Sequence, residues 1–453
     1  MGRLFQEHDS VWGDERVFFA NGMCAYVDSG MHPEVCTPEC THPAHLVKHI
    51  LAGDRMLKNA GDKLAKSLGG LVANVNKTNV DPESGYSWGC HESYQHKCDF
   101  YSFERGLIPH LITRIIYTGA GGWSCGGDFT LSPRSLHITT SLSDSSQSRR
   151  PILHTKQERL DSTSLGRLHL IVGESLCSQT AMFLKYGTTA LIIMMMDNGV
   201  DVWPFGMVNN PVTRLHDIAQ DITCKDVKIS LRCGKRINAI QAQRHYLSLA
   251  KKYEFEKWMP PWAGEVIWLW QHVLDRLNNG APDSVATVLD WAMKWKLIDR
   301  KPYSPRQKME ADIRFGEIGK NGVFNKLDAA GILHHKVPGI EPIDWAMDNP
   351  PPFGRAKLRG DTIKIARNRS DAYISTRTDG CGCASCRRIR RQRQCKHTAH
   401  WSYVTIYGKR IREHEVEAMT LRMSDPFGNS VVWEDQKGVV HGFDKVNAAT
   451  VFL

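Results

Sequence analysis

No stretch of this sequence is apolar enough to cross a bilayer. The longest uninterrupted apolar run, Ala190 to Met196 with Lys185 just before it, falls far short of the roughly 18 residues a span needs. It reads instead as part of a buried helix. Met1 to Asp14 mixes charges with aromatics and lacks an apolar core followed by a small-residue cleavage site, so no secretion signal is read there and a cytoplasmic setting without membrane partners is expected. Internal repeats are also missing, which argues against solenoid classes. The thirteen cysteines are odd in number and scattered, so without a secretion signal they read as reduced thiols rather than a disulfide framework.

What is present is the composition of an ordinary globular protein, 42% hydrophobic and 23% charged, in a chain long enough for two or three domains or one large domain with an appendage. The formal charge of +10 is unevenly placed. Arg355 to Glu415 holds 16 Lys/Arg against five Asp/Glu, which leaves the rest near neutral. A local basic surface suits an acidic partner or phosphates, and a solvated insertion is the plainer alternative.

Periodicity gives a mixed α and β reading. Val17 to Glu34 alternates like strands around an Asn21-Gly22 turn. Leu46, Ile50, Leu57, Ala60, Leu64 and Leu68 fall at helical spacing from Pro43 until Gly69-Gly70 ends the run. Leu107 to Tyr117 and Gln179 to Met196 read as further helices, and Pro260 to Lys296 as two whose tryptophans are core. Arg167 to Glu174 reads as a strand with Arg167 and His169 on one face. Asn349 and the prolines 350–352 suggest a boundary, giving residues 1–348 as a large domain and 349–453 as a small carboxy-terminal one.

Three groups of residues carry chemistry. Tyr26 and Asp28 lie two apart on a strand and share a face, and a short turn brings Glu34 back toward them. A phenol and carboxylates converging this way suit Mg²⁺, while a surface hairpin with ordinary acids is the bland reading. His91-Glu92 follows Gly85 and Gly89, suiting a metal or a phosphate approached closely by backbone, or a structural pair. Arg150 to Glu158 with Arg167, His169 and Glu174 offers cations beside a carboxylate, as phosphoryl transfer requires, with a solvated charged face as the alternative.

The wording of these segments, "NGMCAYVDSGMHPEVCTPEC", "GYSWGCHESY", "RRPILHTKQE", "GRLHLIVGES", "KYGTTALI", "NPPPFGRAKLRGD" and "MSDPFGN", resembles the Pup ligases and their deamidase relatives in register from about Val17 to Asn429. That resemblance implies an α+β, glutamine synthetase-like fold: a curved antiparallel sheet backed by helices, with a small carboxy-terminal domain. The implied activity is an ATP- and Mg²⁺-dependent ligation. The terminal Glu side chain of Pup, a small disordered acidic protein, is phosphorylated and then joined to a substrate protein's lysine. By the same resemblance Asp28 is the catalytic base, Tyr26 and Glu34 are Mg²⁺ ligands, and Thr37 and Trp401 contact the nucleotide. By the resemblance Cys24 stands where the family has an ATP-contacting arginine, and the sequence begins downstream of the position expected for the family's Gly-x-Glu-x-Glu strand, the source of another metal ligand. "VDSGMHPE" and "GCHES" look more ligase-like than deamidase-like; the hydrolase and an inactive binding module are the alternatives.

Between Gly360 and Trp401 the chain is longer than the family pattern. Cys383-x-x-Cys386 has zinc-knuckle spacing, and Cys395 with His397 or His400 could complete a tetrahedral Zn²⁺ site, against reduced thiols in a loop. Arg387, Arg388, Arg390, Arg391 and Arg393 within it suit an acidic protein tail by charge; with no interleaved aromatics, nucleic acid is the less suited partner.

Overall fold

The computed structural model describes residues 10–443 apart from 13–15, 29–31, 82–83, 125–126, 158–163, 232–233, 300, 371–396, 413–414, 424, 428–430 and 435–439. The chain forms two compact units. One is built mainly from Met1–Ala73 and Gly339–Leu453, the other mainly from Asn74–Arg159 and Ser164–Pro338. Asn349 and its prolines therefore lie inside the first unit, for a topological reason: the carboxy-terminal strands finish a sheet that the amino-terminal strands begin.

That sheet has nine strands: β1 (Ser10–Trp12), β2 (Val17–Phe19), β3 (Cys24–Val27), β4 (Pro33–Cys36), β5 (His397–Ala399), β6 (Tyr403–Arg412), β7 (Glu415–Arg422), β8 (Val431–Glu434) and β9 (Val440–Phe443). Their order is β9-β8-β7-β6-β5-β1-β2-β3-β4. Every neighbouring pair is antiparallel except β1 and β5, which run parallel through Trp12 and Thr398. The turn between β2 and β3 is the expected one. Gly22 sits at φ +82°, and a Cβ there would meet Pro38 and Ala356 at 3.0 and 3.2 Å, so the position suits only glycine. The amide of Asn21 donates to the Ala346 carbonyl at 2.9 Å while its oxygen accepts from the Met23 N–H.

Alternation sorts these strands into two faces. Val17, Phe19, Met23 and Ala25 pack with Met56 and Ala60 of α1 (Pro43–Ser67), the helix its spacing announces. A second helix, α2, spans Arg355–Ser370.

The second unit centres on a four-stranded sheet ordered Glu92–His96, Gly166–Leu170, Pro151–His154, Thr140–Ser143. Helix Gln179–Asp197 is buried along most of its length, with Ser178 capping it; in the apolar run from Ala190 to Met196, Leu191, Ile192, Ile193 and Met195 are core. Leu107 to Tyr117 breaks at Leu107 and Arg114 into short helices. Of the tryptophans read as core, Trp262, Trp270 and Trp291 are buried, but Trp268 is 67% exposed and stacks on His272, because it falls on the polar side of helix Ala263–Gly280. No described helix is long and apolar enough to cross a membrane.

Candidate active site

β3 and β4 set Tyr26 directly opposite Glu34, and the phenol donates a hydrogen bond to the Glu34 carboxylate. Burial, the nearby Cys36 and that bond all push the Tyr26 phenol up, so its oxygen is that of a neutral phenol. The guanidinium of Arg16 lies 5.1 Å from the Tyr26 ring centre. Asp28 follows β3 and is partly exposed; its Oδ1 accepts from the His32 N–H at 2.7 Å, and its own N–H donates to the His32 carbonyl at 3.0 Å. The ladder thus runs on toward the tip and brings Asp28, Tyr26 and Glu34 along one short hairpin.

Thr37 comes directly after β4 and is half-buried. Trp401 is 7% exposed. Its ring meets Phe18 edge-on at 5.3 Å, and Arg359 lies 4.9 Å over it. Tyr26 and Cys36 pack against the same cluster, so the phenol and the indole share a sheet face.

Sequence reading passed over what holds this face. Arg359, wholly buried, donates to the Trp401 carbonyl at 2.9 Å, to the Gly22 carbonyl at 2.7 Å and to Glu39 at 2.8 Å, and Arg355 donates to Glu39 at 2.6 Å. Burial alone would raise the Glu39 carboxyl, but the two guanidiniums outweigh it and hold it below its ordinary range. The available signal was the spacing of Arg355 and Arg359, i and i+4 on one helix face, with an acid in "CTPEC".

In the second unit the other two groups meet on one sheet. His169 lies opposite Ser93 and His154, its ring 5.2 Å from that of His91 and 4.9 Å from that of His154. Arg167 donates to the Ser93 hydroxyl at 2.9 Å. The expected pairing of Arg167 and His169 on a polar face holds. Glu92, by contrast, points away from His91, since successive strand residues alternate. It is buried and receives Arg114 on both oxygens, with Lys185 at 3.7 Å. Its burial is outweighed by those cations, which keep its carboxyl low, so it acts as a structural counter-ion. Glu174 is likewise occupied, accepting from the Ala120 and Arg134 N–H groups at 2.7 and 2.8 Å. Arg134, unflagged by sequence, passes so close to Gly89 that a Cβ there would meet its guanidinium at 2.6 Å. Burial and the neighbouring Arg150 bring the Arg134 guanidinium down to about 10.

The Tyr26 and Glu34 oxygens converge as a hard cation needs, and Mg²⁺ takes only one or two protein carboxylates while keeping waters. The pair fits Mg²⁺ as part of a ligand set. Among the described residues no group of three or more His, Cys, Asp or Glu side chains could hold a metal. Cys383, Cys386 and Cys395 lie outside the described residues, as do the arginines between them, and His397 opens β5 opposite Ile406.

Comparison with known proteins adds the rest. The chain is similar to the Pup–protein ligase of Nocardia farcinica, 34% identical over 377 residues that cover 79% of this chain and 82% of that one. It is similar to Pup–protein ligase 2 of Rhodococcus erythropolis at 34% identity, covering 79% and 83%. Among solved structures it resembles the Pup ligase PafA bound to ADP, with TM-score 0.75 and 26% identity over 92% of this chain and 88% of that one. The complex of prokaryotic ubiquitin-like protein Pup with its ligase PafA gives TM-score 0.74 and 26% identity over 94% and 84%. Fold and relatives together define a ligase. The Pup-ligase protein family model matches residues 3–376, and the chain belongs to that family.

Proposed function

We propose that this chain uses ATP and Mg²⁺ to phosphorylate the side-chain carboxylate of the terminal Glu of a Pup-like protein, and that a substrate protein's lysine then displaces the phosphate to form an isopeptide bond. The observation that carries the reading is the hairpin on which Asp28, Tyr26 and Glu34 are brought together, in a chain whose relatives bear the name Pup–protein ligase.

Asp28 is the base. A lysine ammonium must lose a proton before its nitrogen can attack, and a partly exposed carboxylate beside the acyl phosphate takes that proton. Tyr26 and Glu34 hold Mg²⁺, which when bound neutralises phosphate charge. Thr37 and Trp401 contact the nucleotide, with Arg359 fixing the indole from its buried side. Arg16, lying over Tyr26, supplies positive charge near Cys24, where the family pattern has arginine. The face on which the Arg134 and Arg167 guanidiniums lie near His154 and His169 suits anionic groups.

ADP release and hydroxylamine trapping test this reading. With ATP, Mg²⁺ and a Pup-like peptide ending in Glu, the chain should release ADP and form a hydroxamate at that Glu. No ADP and no hydroxamate from a nucleotide-binding preparation would remove it.

A further inference from the structure

On β3 and β4, Cys24 and Cys36 stand directly opposite each other. Both belong to the sheet face of Phe18, Tyr26 and Trp401, so their side chains project the same way. Cys24 is fully buried, and Cys36, at the end of β4, is half-buried. The Asp28 N–H bond to the His32 carbonyl sets the alternation of the ladder. Counted back by twos, it puts Tyr26–Glu34 and Cys24–Cys36 at hydrogen-bonded positions, and leaves Pro33, which has no N–H, at a non-hydrogen-bonded one. Opposed Cα atoms at such a position lie about 5.5 Å apart, inside the roughly 4.4–6.8 Å that a disulfide spans.

We propose that Cys24 and Cys36 form a peroxide-oxidisable pair whose cross-strand disulfide shuts the Tyr26–Glu34 hairpin. Peroxide meets the half-buried sulfur first. The Cys36 sulfur attacks one peroxide oxygen, the O–O bond breaks and water leaves, giving a sulfenic acid. The Cys24 sulfur then attacks the Cys36 sulfur; the S–O bond breaks and a second water carries off the Cys24 proton. Two thiols are oxidised and one peroxide is reduced to two waters, and a dithiol reductant reverses the change.

The coupling to the site is geometric. Opposed Cβ atoms in a ladder are about 4.5–5.5 Å apart, whereas a disulfide holds them near 3.8 Å, so the bridge draws β3 and β4 together by roughly 1 Å. Tyr26 and Glu34 are the next pair along the same face and must shift with it. A misplacement of about 1 Å at a reacting geometry costs on the order of 10²-fold in rate. The effect on ligation rests on the function proposed above, while the cross-link itself does not.

The test treats the full, reduced chain with graded hydrogen peroxide, alkylates it and maps its cysteine peptides by mass spectrometry. The expected product is a linked Cys24–Cys36 peptide pair, with ligation falling about 10²-fold and returning on addition of dithiothreitol. Cys36→Ser and Cys24→Ala should each form no such pair and keep their own pre-oxidation rates after peroxide. Cys36 found reduced, or oxidised only to sulfinic acid without a linked peptide, overturns the proposal. So does an equal peroxide sensitivity of wild type and Cys36→Ser. A reduced chain that never ligates would count against the proposed function, with the peptide map still deciding the thiol pair.

Discussion

Glu34 and Glu92 are both strand carboxylates next to a tyrosine hydroxyl, and they have opposite fates. Glu34 sits on a half-buried hairpin, bonded to the Tyr26 phenol, with no cation bonded to its side chain among the described residues. Glu92 is buried against Arg114 and Lys185 and also accepts from the Tyr94 hydroxyl at 2.6 Å. The lesson concerns availability. A carboxylate whose charge is already neutralised by a buried guanidinium has little left to attract a metal or a proton, whereas one bonded to a neutral phenol can exchange that partner for a cation. Sequence neighbours do not distinguish the two; burial and the cation budget of each face do.

That contrast can be broken by exchanging the losses. Glu92→Ala leaves Arg114 buried and unpaired, so stability should fall by about 3–5 kcal/mol, read as a shifted denaturation midpoint. Asp28→Asn should do the reverse: ligation falls about 10²–10⁴-fold, while the unfolding midpoint moves within the roughly 0.5 kcal/mol typical of surface changes. If Asp28→Asn unfolds the chain, or Glu92→Ala is silent, the division between available hairpin carboxylates and structural buried ones is wrong.

The Glu39 cluster sharpens the comparison through pH. Its carboxyl is lowered on folding from an ordinary value near 4.5. A depressed pKa contributes stability that is fully present above the unfolded value and is lost as pH falls through the folded one. Wild type should therefore lose stability more steeply than Glu39→Gln on acidification below about 4.5, measured by denaturant titration at each pH. Parallel curves would remove Glu39 from the account. The smallest effect is expected at Trp268→Ala, within about 0.5 kcal/mol, against about 3–5 kcal/mol at Trp270→Ala, because only the second ring is buried.

Much of this was legible in the sequence wherever local rules decide the outcome. The Asn21-Gly22 turn, the helix from Pro43 and the return of Glu34 toward Tyr26 all follow from spacing and turn chemistry. What stayed hidden depends on distant partners. The use of Glu92 by Arg114, of Glu174 by backbone N–H groups, and of Glu39 by Arg355 and Arg359 joins residues that only the folded chain brings together. The parallel pairing of β1 with β5 is of the same kind, since no local signal in either strand names its neighbour.

The most direct test of the central claim follows one bond. Wild type and Asp28→Asn, each shown to bind nucleotide, are given ATP, Mg²⁺, a Pup-like peptide ending in Glu and a lysine-bearing protein, and the products are mapped by mass spectrometry alongside ADP. Wild type should yield an isopeptide between the terminal Glu and a lysine, with ADP formed in step, and Asp28→Asn almost none. Equal adduct from both proteins, or amide hydrolysis without ADP, would contradict a ligase working from this hairpin.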